Sequence, residues 1–412
     1  MKVLFINSVI KDGSTGNIMF NLQEIFRQNG HKTLFLYGRG KHPEQQRAKK
    51  ITPAIEFYVN ALFTRLFGLN SVKSPISSIR LKRQFKQFKP DAVVLGNLHG
   101  YYINENFLFK LLKSINVPVY YYMFDEYAYH GKCTYAGDCK KYKDGCGNCP
   151  KLKEYPKTLF DCSKKGFENK TRNYNGLSNL YFISTPQNCR RALDSPLFNE
   201  KQERVLSCAW GIDVKNVYKP TDPSNVIKEL GLDITKPVVI SINQLSDPRK
   251  CVKEVFFKAA RECQNSDVQF VHIGNDDQSF IIPKNCVSLP YIKDQKKLSQ
   301  ICTLADAFVM TSKEDTYPTV CLISQACGTP IIGFNSSGIP DTACPETAKL
   351  FPVDELNSLI NYIKTIDKKT DETSRKCREY ALENFDFENK ANDLVKRIVK
   401  DVQYAKGCDN RC

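Results

Sequence analysis

Long apolar runs are missing from this sequence: none approaches the roughly 18 residues that a membrane-crossing helix requires, which argues against a membrane-spanning protein. Internal repeats and low-complexity tracts are missing too, so no solenoid is expected. No small-residue cleavage site follows the opening MKVLFINSV, which reads as a strand rather than a signal peptide, and a cytosolic protein is expected. Residues 80–89, RLKRQFKQFK, hold no acid at all.

What is present is a chain of 412 residues, 42% hydrophobic and 11% aromatic, too rich in core formers for disorder and too long for one ordinary core. Two domains of about 200 residues each are expected. The net charge of +16 implies attraction to nucleic acid, anionic lipid or a phosphorylated substrate, and charge alone does not choose among them. Just before the basic run lies EFYVNALFTRLFGLN, residues 56–70, where Phe57, Ala61, Leu62 and Leu66 fall at helical spacing. A basic amphipathic region beside an aromatic helix suits an anionic membrane surface. A core-packed helix followed by a solvated charged face reads the same pattern equally well.

Strand-like runs alternate with helix-period segments: KVLFINSV, IMFNLQEIFRQNG, TLFLYG, DAVVLGN, INENFLFKLLKSIN and PVYYYMF. That order predicts a parallel sheet covered on both faces. A Cys-, Lys- and Gly-rich insertion interrupts it, LYFIST and RVLSCAW resume it, and PVVISIN, CVKEVFFKAARECQ, VQFVHIG, CVSLPYI, DAFVMTS and PIIGF start a second series. The simplest account is two Rossmann-like sheets in tandem. A polar, Pro-containing linker is expected at residues 221–225.

In such sheets ligands bind where strand ends pass into helices with free N–H groups. Three loops qualify. Gly13, Ser14, Thr15 and Gly16 follow the first strand and permit close backbone approach to a phosphate or sugar, although ordinary turn chemistry also uses such glycines. SDPRKC, residues 246–251, sets Arg249 and Lys250 at an expected helix N-terminus, suited to a diphosphate. Glu314 and Asp315 follow the strand DAFVMTS, which ends at Ser312, just before Pro318 and Thr319 open a helix. Acids there commonly cap, but one can also accept hydrogen bonds from sugar hydroxyls while the N–H groups behind it face a phosphate.

With these residues in view, the second half resembles the retaining glycosyltransferases of the GT-B fold, of the glycosyltransferase family four type. The motifs that carry the resemblance come in order: WGID (210–213), DPRK (247–250), LADAFVMTSKEDTYP (304–318), ACGTPIIGF (326–334) and SSGIPD (336–341). The first half is similar to a colanic-acid-type polysaccharide branch through GSTG (13–16), GNLHGYYIN (96–104) and GKCTYAGDCKKYKDGCGNCPKLKEYPK (131–157). The resemblance implies an α/β GT-B protein of two Rossmann-like domains with a cleft between them. Residues 1–205 would form the acceptor domain with a Cys-rich insertion at 125–165, 206–384 the nucleotide-sugar donor domain, and 385–412 a tail returning to the first. Lys250 would contact the donor diphosphate and Asp315, with Glu314 beside it, would be the first acid of the family's two-acid signature. Arg249, Gln244, Tyr317, Pro318, Thr319 and Val320 would line the donor, and Gly13, Ser14, Thr15, Gly16 and His99 the acceptor. Three positions depart from the family: Ile323 stands where the second acid would contact ribose, Gln244 where an Arg precedes the Lys, and Phe124 where a His follows the strand. His130 is a further histidine near the expected cleft, with packing as its alternative.

Seventeen cysteines are many for a cytosolic protein, and four crowd as C-x5-C-x6-C-x2-C: Cys133, Cys139, Cys146 and Cys149. In a reducing compartment that spacing suits tetrahedral structural zinc, with disulfides or free thiols as the alternatives. No convincing Asp-x-Asp motif is present, which fits metal-independent catalysis. The expected activity is retaining transfer of a sugar from a nucleotide diphosphate to a lipid-linked glycan, for bacterial capsule, exopolysaccharide or lipopolysaccharide, at the inner face of the cell membrane and without nucleic acid. A catalytically weak glycan-binding or scaffolding homologue is the alternative. A nucleotide-sugar epimerase would share the fold but should not carry DPRK together with EDTYP.

Overall fold

A computed structural model describes residues 1–40, 47–68, 74–263 and 267–409. The end of the aromatic stretch, 69–70, and the last three residues of the tail lie outside the described residues. The chain divides into two compact units, Met1–Ala209 together with Ala391–Cys412, and Trp210–Lys390.

The first unit is built on seven parallel strands: β1 (Lys2–Val9), β2 (Lys32–Arg39), β3 (Ala48–Lys50), β4 (Ala92–Leu95), β5 (Val119–Tyr122), β6 (Leu180–Ser184) and β7 (Val205–Ser207). Their order is β3-β2-β1-β4-β5-β6-β7. Between them run α1 (Gly13–Gln28), α2 (Ala54–Phe67), α3 (Pro75–Phe88), α4 (Glu105–Ile115), α5 (Ser163–Asn175) and α6 (Pro186–Leu193). Strands β1, β4 and β5 are nearly continuous apolar runs because helices cover both faces of the sheet. Phe5 of β1 stacks on Phe35 of β2 at 6.2 Å and meets Phe26 of α1 edge-on at 5.5 Å. Residues 125–162, the Cys-rich insertion, hold only two short 3-10 turns, Glu126–Tyr129 and Lys141–Asp144.

The second unit repeats the plan with six parallel strands: β8 (Val238–Ile242), β9 (Gln269–Ile273), β10 (Cys286–Leu289), β11 (Ala307–Met310), β12 (Ile331–Phe334) and β13 (Lys349–Phe351). Their order is β10-β9-β8-β11-β12-β13. Its helices are α7 (Ser224–Leu230), α8 (Phe256–Glu262), α9 (Gln295–Leu304), α10 (Thr319–Ala326), α11 (Leu356–Lys364) and α12 (Asp371–Asn384). Residues 221–225, expected as a linker, lie inside this unit: Thr303 of α9 accepts from the Thr221 N–H, and Gln300 donates to the Asp222 carbonyl. A last helix, α13 (Phe387–Asp409), follows, and most of it belongs to the first unit.

In both sheets the strand order reverses beside the first strand, between β1 and β4 and between β8 and β11. That reversal sends the loops after the two strands to opposite faces and opens a crevice at their carboxyl ends.

Candidate functional site

In the second unit, Ala307 and Phe308 of β11 pair with Val239 and Ile240 of β8, so the loops leaving these strands emerge side by side. The loop after β8 turns at Asp247, whose carboxylate accepts from the Arg249 N–H at 3.0 Å and starts a 3-10 turn, Pro248–Lys250. A regular helix was expected here. Instead Cys251, at φ +48°, stops the turn, and α8 begins only at Phe256. The Thr311 hydroxyl, one residue past β11, donates to the Lys250 carbonyl and ties the turn to the neighbouring loop.

Lys250 then reaches across the crevice, its Nζ 2.9 Å from Asp315 Oδ2, with both side chains largely but not wholly covered. The other Asp315 oxygen accepts from the Tyr317 N–H at 3.3 Å. Behind the acid, the Gly338 N–H donates to the Asp315 carbonyl at 2.8 Å, and Ser336 Oγ to the Lys313 carbonyl at 2.7 Å. Gly338 packs so closely that a Cβ there would overlap the Thr316 carbonyl. Tyr317 is buried edge-on against Trp210 at 5.3 Å, which brings WGID and EDTYP together.

The other donor-side candidates surround this pair unequally. Glu314 is half-buried beside Asp315. Arg249 folds back onto Asp247 at 2.7 Å, with about half of its side chain in solvent. Gln244 is exposed two residues past the end of β8. Pro318 is the N-cap of α10 and no side chain caps that helix, so the backbone at Thr319 and Val320 is its opening turn. Ile323 is buried on the same helix, among Cys321, Leu322 and Ser324.

In the first unit, Gly13, Ser14, Thr15 and Gly16 form the first turn of α1 rather than a free loop, and that turn carries no acid. Gly16 sits in a tight place: a Cβ would lie 3.2 Å from Val9 Cγ2 and 3.3 Å from the Lys11 nitrogen, close enough that a neighbour would have to shift slightly. Across the strand reversal, the Asn97 N–H donates to Asn7 Oδ1 at 2.8 Å and fixes the loop that carries His99. His99 Nε2 lies 2.7 Å from Asp125 Oδ2 and its Nδ1 3.2 Å from the Tyr155 hydroxyl. A carboxylate on Nε2 holds the proton there and leaves Nδ1 to accept from Tyr155. Asp125 and Tyr155 escaped the sequence reading. The signal for Asp125 was its place just past β5, next to Phe124.

His130 is not part of this cluster. Its ring is buried against Tyr129 and Tyr142, Nδ1–H donates to the Glu126 carbonyl at 2.8 Å, and burial pushes its pKa down to about 3. Of the four insertion cysteines, Cys133 is buried and Cys139, Cys146 and Cys149 are half-buried, all as free thiols. The Cys133 and Cys149 thiols hydrogen-bond, which holds Cys149 below the ordinary thiol value, and Cys146 takes a hydrogen bond from the Gly131 N–H at 3.3 Å. Among the described residues no group of three or more His, Cys, Asp or Glu side chains is disposed to hold a metal ion. The zinc reading therefore rests on sequence spacing. No helix among the described residues is long and apolar enough to cross a membrane.

Residues 224–384 match the family model "Glycosyl transferases group 1". Over 380 residues, covering 88% of this chain and 90% of the relative, the sequence is 22% identical to the Escherichia coli (strain K12) protein WcaC, named as a colanic acid biosynthesis glycosyl transferase. Among solved structures, Anabaena Alr3699/HepE in complex with UDP superposes with a TM-score of 0.69 at 15% identity, covering 97% of this chain and all of that one. WaaG, a glycosyltransferase involved in lipopolysaccharide biosynthesis, superposes at 0.64 with 13% identity, covering 96% and 99%.

Proposed function

From the premise that residues 224–384 are a group 1 glycosyl transferase domain in a chain of GT-B fold, we propose that the protein moves a sugar from a nucleotide diphosphate to a lipid-linked glycan, retaining the anomeric configuration. The setting we propose is assembly of a bacterial cell-surface polysaccharide at the inner membrane face. The observation that carries the reading is the Lys250–Asp315 pair at the strand reversal of the second sheet. A nucleotide sugar is supported as donor by UDP in the Anabaena structure, and the polysaccharide setting by the names of WcaC and WaaG.

Breaking the bond between the anomeric carbon and the diphosphate leaves negative charge on the departing oxygen. Lys250 is a fixed cation for that charge, and a prepositioned donor of this kind lowers the barrier because nothing has to reorganise. Asp315 holds the Lys250 ammonium in place and offers its other oxygen to sugar hydroxyls, while the first N–H groups of α10 face the phosphates. The acceptor hydroxyl attacks from the face the diphosphate leaves, its proton passes to the leaving oxygen, and the new glycosidic bond keeps the original configuration. No protein base is required. On the acceptor side, the His99–Asp125 pair and the opening turn of α1 offer polar groups for sugar hydroxyls.

Calorimetric titration with a panel of nucleotide sugars, followed by product detection with an acceptor glycoside, tests this reading. Donor binding should weaken by roughly 10²-fold or more in Lys250→Ala, and NMR of the product should report the donor's own anomeric configuration. Absence of binding by any nucleotide or nucleotide sugar would sink it. The buried Ile323, apolar where the resemblance implies a ribose-contacting acid, favours the second reading, a glycan-binding homologue with weak catalysis. That protein would bind glycan and give little product.

A further inference from the structure

Helix α2 is folded inside out. Its buried positions are Glu56, Asn60 and Thr64, one above the other at i, i+4 and i+8, while Ile55, Tyr58, Val59, Leu62 and Phe67 are exposed and Phe57, Phe63 and Leu66 half-buried. Two residues of the covered polar side tie the helix to its neighbours. Glu56 accepts from the Ile76 and Ser77 N–H groups at 2.8 and 2.9 Å and from the Ser77 hydroxyl, so it caps α3. Asn60 donates to Ser74 Oγ at 2.9 Å and to the Tyr101 carbonyl at 3.1 Å. These bonds hold the helix by its polar side, with Phe57 packed edge-on against Tyr101.

That side is wide. Ile55, Tyr58 and Leu62 are 72%, 70% and 56% exposed along α2 and Ile79 is 69% exposed on α3. Leu159 and Phe160, 68% and 64% exposed, join them from the insertion, where the Leu159 N–H donates to the Arg65 carbonyl at 2.7 Å. Large apolar side chains aligned and exposed on one helix face, as Ile55, Tyr58 and Leu62 are, mark a surface that meets a partner. Arg65, Arg80, Arg83 and Lys86 are exposed around it, and α2 and α3 carry no exposed acid.

We infer that this face docks on an anionic lipid bilayer, with the apolar side chains of α2, α3 and residues 159–160 entering the headgroup boundary and the flanking cations meeting lipid phosphates. An apolar helix face with aromatic residues, rimmed by Arg and Lys, is the pattern of interfacial binding. The charge decides against a second copy of this chain, since two such rims brought together would repel. The docking face rests on the membrane-side reading proposed above. Vesicle binding needs neither donor nor acceptor, so an inactive enzyme and a wrongly assigned face give different results.

The experiment is sedimentation with phosphatidylglycerol-containing and pure phosphatidylcholine vesicles. The intact protein should bind the anionic vesicles, and added salt should weaken the binding. The Tyr58→Ser/Leu62→Ser variant should lose about tenfold or more in partitioning. Arg83→Gln/Lys86→Gln should lose the preference for anionic lipid. Both variants change exposed side chains, so the unfolding temperature and nucleotide binding should stay unchanged and serve as controls. Wild-type protein that ignores anionic vesicles, or a Tyr58→Ser/Leu62→Ser variant that binds as the wild type does, overturns the assignment. So does a dimer in analytical ultracentrifugation that this variant dissociates, which would make the face a protein interface.

Discussion

Lys250 and Asp315 are 65 positions apart in sequence and meet only because β8 and β11 are neighbours in the sheet. The residue types were legible in the motifs DPRK and EDTYP. Their contact was not, because it depends on strand order, which no local pattern encodes. The same limit hid Asp125: a lone acid past a strand has no distinguishing period, and it becomes a candidate only when His99 lies 2.7 Å away. For His130 the choice was between a place in the cleft and packing, and the ring is sealed among aromatic side chains. This burial has a measurable consequence. With the folded pKa down at about 3 and an unfolded value near 6.5, the unfolded chain takes up a proton first as pH falls. This residue therefore costs the fold nothing above pH ~6.5 and roughly 1.4 kcal/mol for each pH unit below it, down to about 3. Denaturant unfolding followed from pH 7 to 4 should show a shallower loss of stability in His130→Gln than in the wild type. Parallel curves would mean that His130 is protonated in the fold.

At the scale of elements, hydrophobic pattern served the strands better than the helices. Runs such as KVLFINSV and PVVISIN are buried on both faces, so composition alone identifies them. β3 and β13 went unseen because three-residue edge strands, AKK and KLF, carry no period. Helix α2 was seen, and of its four spaced residues Phe57, Ala61 and Leu66 are half-buried while Leu62 is exposed. Phe57, Ala61, Leu62 and Leu66 have helical spacing, but the spacing says which residues share a face and not which face is covered. Here the hydrogen bonds that Glu56 accepts and Asn60 donates settle that. The segment SSGIPD was legible as a motif and silent about its task. Its glycine seats residues 336–338 directly on the turn that presents Asp315. Gly338→Ala should push that turn away from Lys250 and weaken donor binding by about tenfold or more, since placement errors near 1 Å cost rates and affinities of that order. The overlap is with backbone, so the unfolding temperature should fall as well, with a loss of about 3 kcal/mol or more, the upper end of what forced contacts cost. Unchanged donor affinity in a folded Gly338→Ala protein would show that the turn tolerates displacement and that Asp315 is not held from behind.

On the scale of the whole molecule, two parallel sheets in tandem followed from the strand–helix alternation, and GT-B from the motif order. What alternation leaves out is the path of the chain after the last strand, because a final amphipathic helix can pack on any sheet with an open face. The structure groups residues from 391 onward with the first unit. There Leu394, Val395, Ile398 and Val402 are buried, Tyr120 of β5 donates to Asp401, and Lys406 pairs with Asp91 at 2.7 Å. Four buried aliphatic side chains at about 1.5–3 kcal/mol each are a large part of a domain's net stability. Ending the chain at Lys390 should therefore destabilise a unit whose other residues all lie before position 210. Calorimetry should show unfolding of the first unit lowered by about 10 °C or more, while the second unit, which carries Lys250 and Asp315, still binds a nucleotide sugar. If truncation leaves the thermal profile intact, the C-terminal helix adds little to that core. If it removes donor binding as well, the second unit does not stand alone.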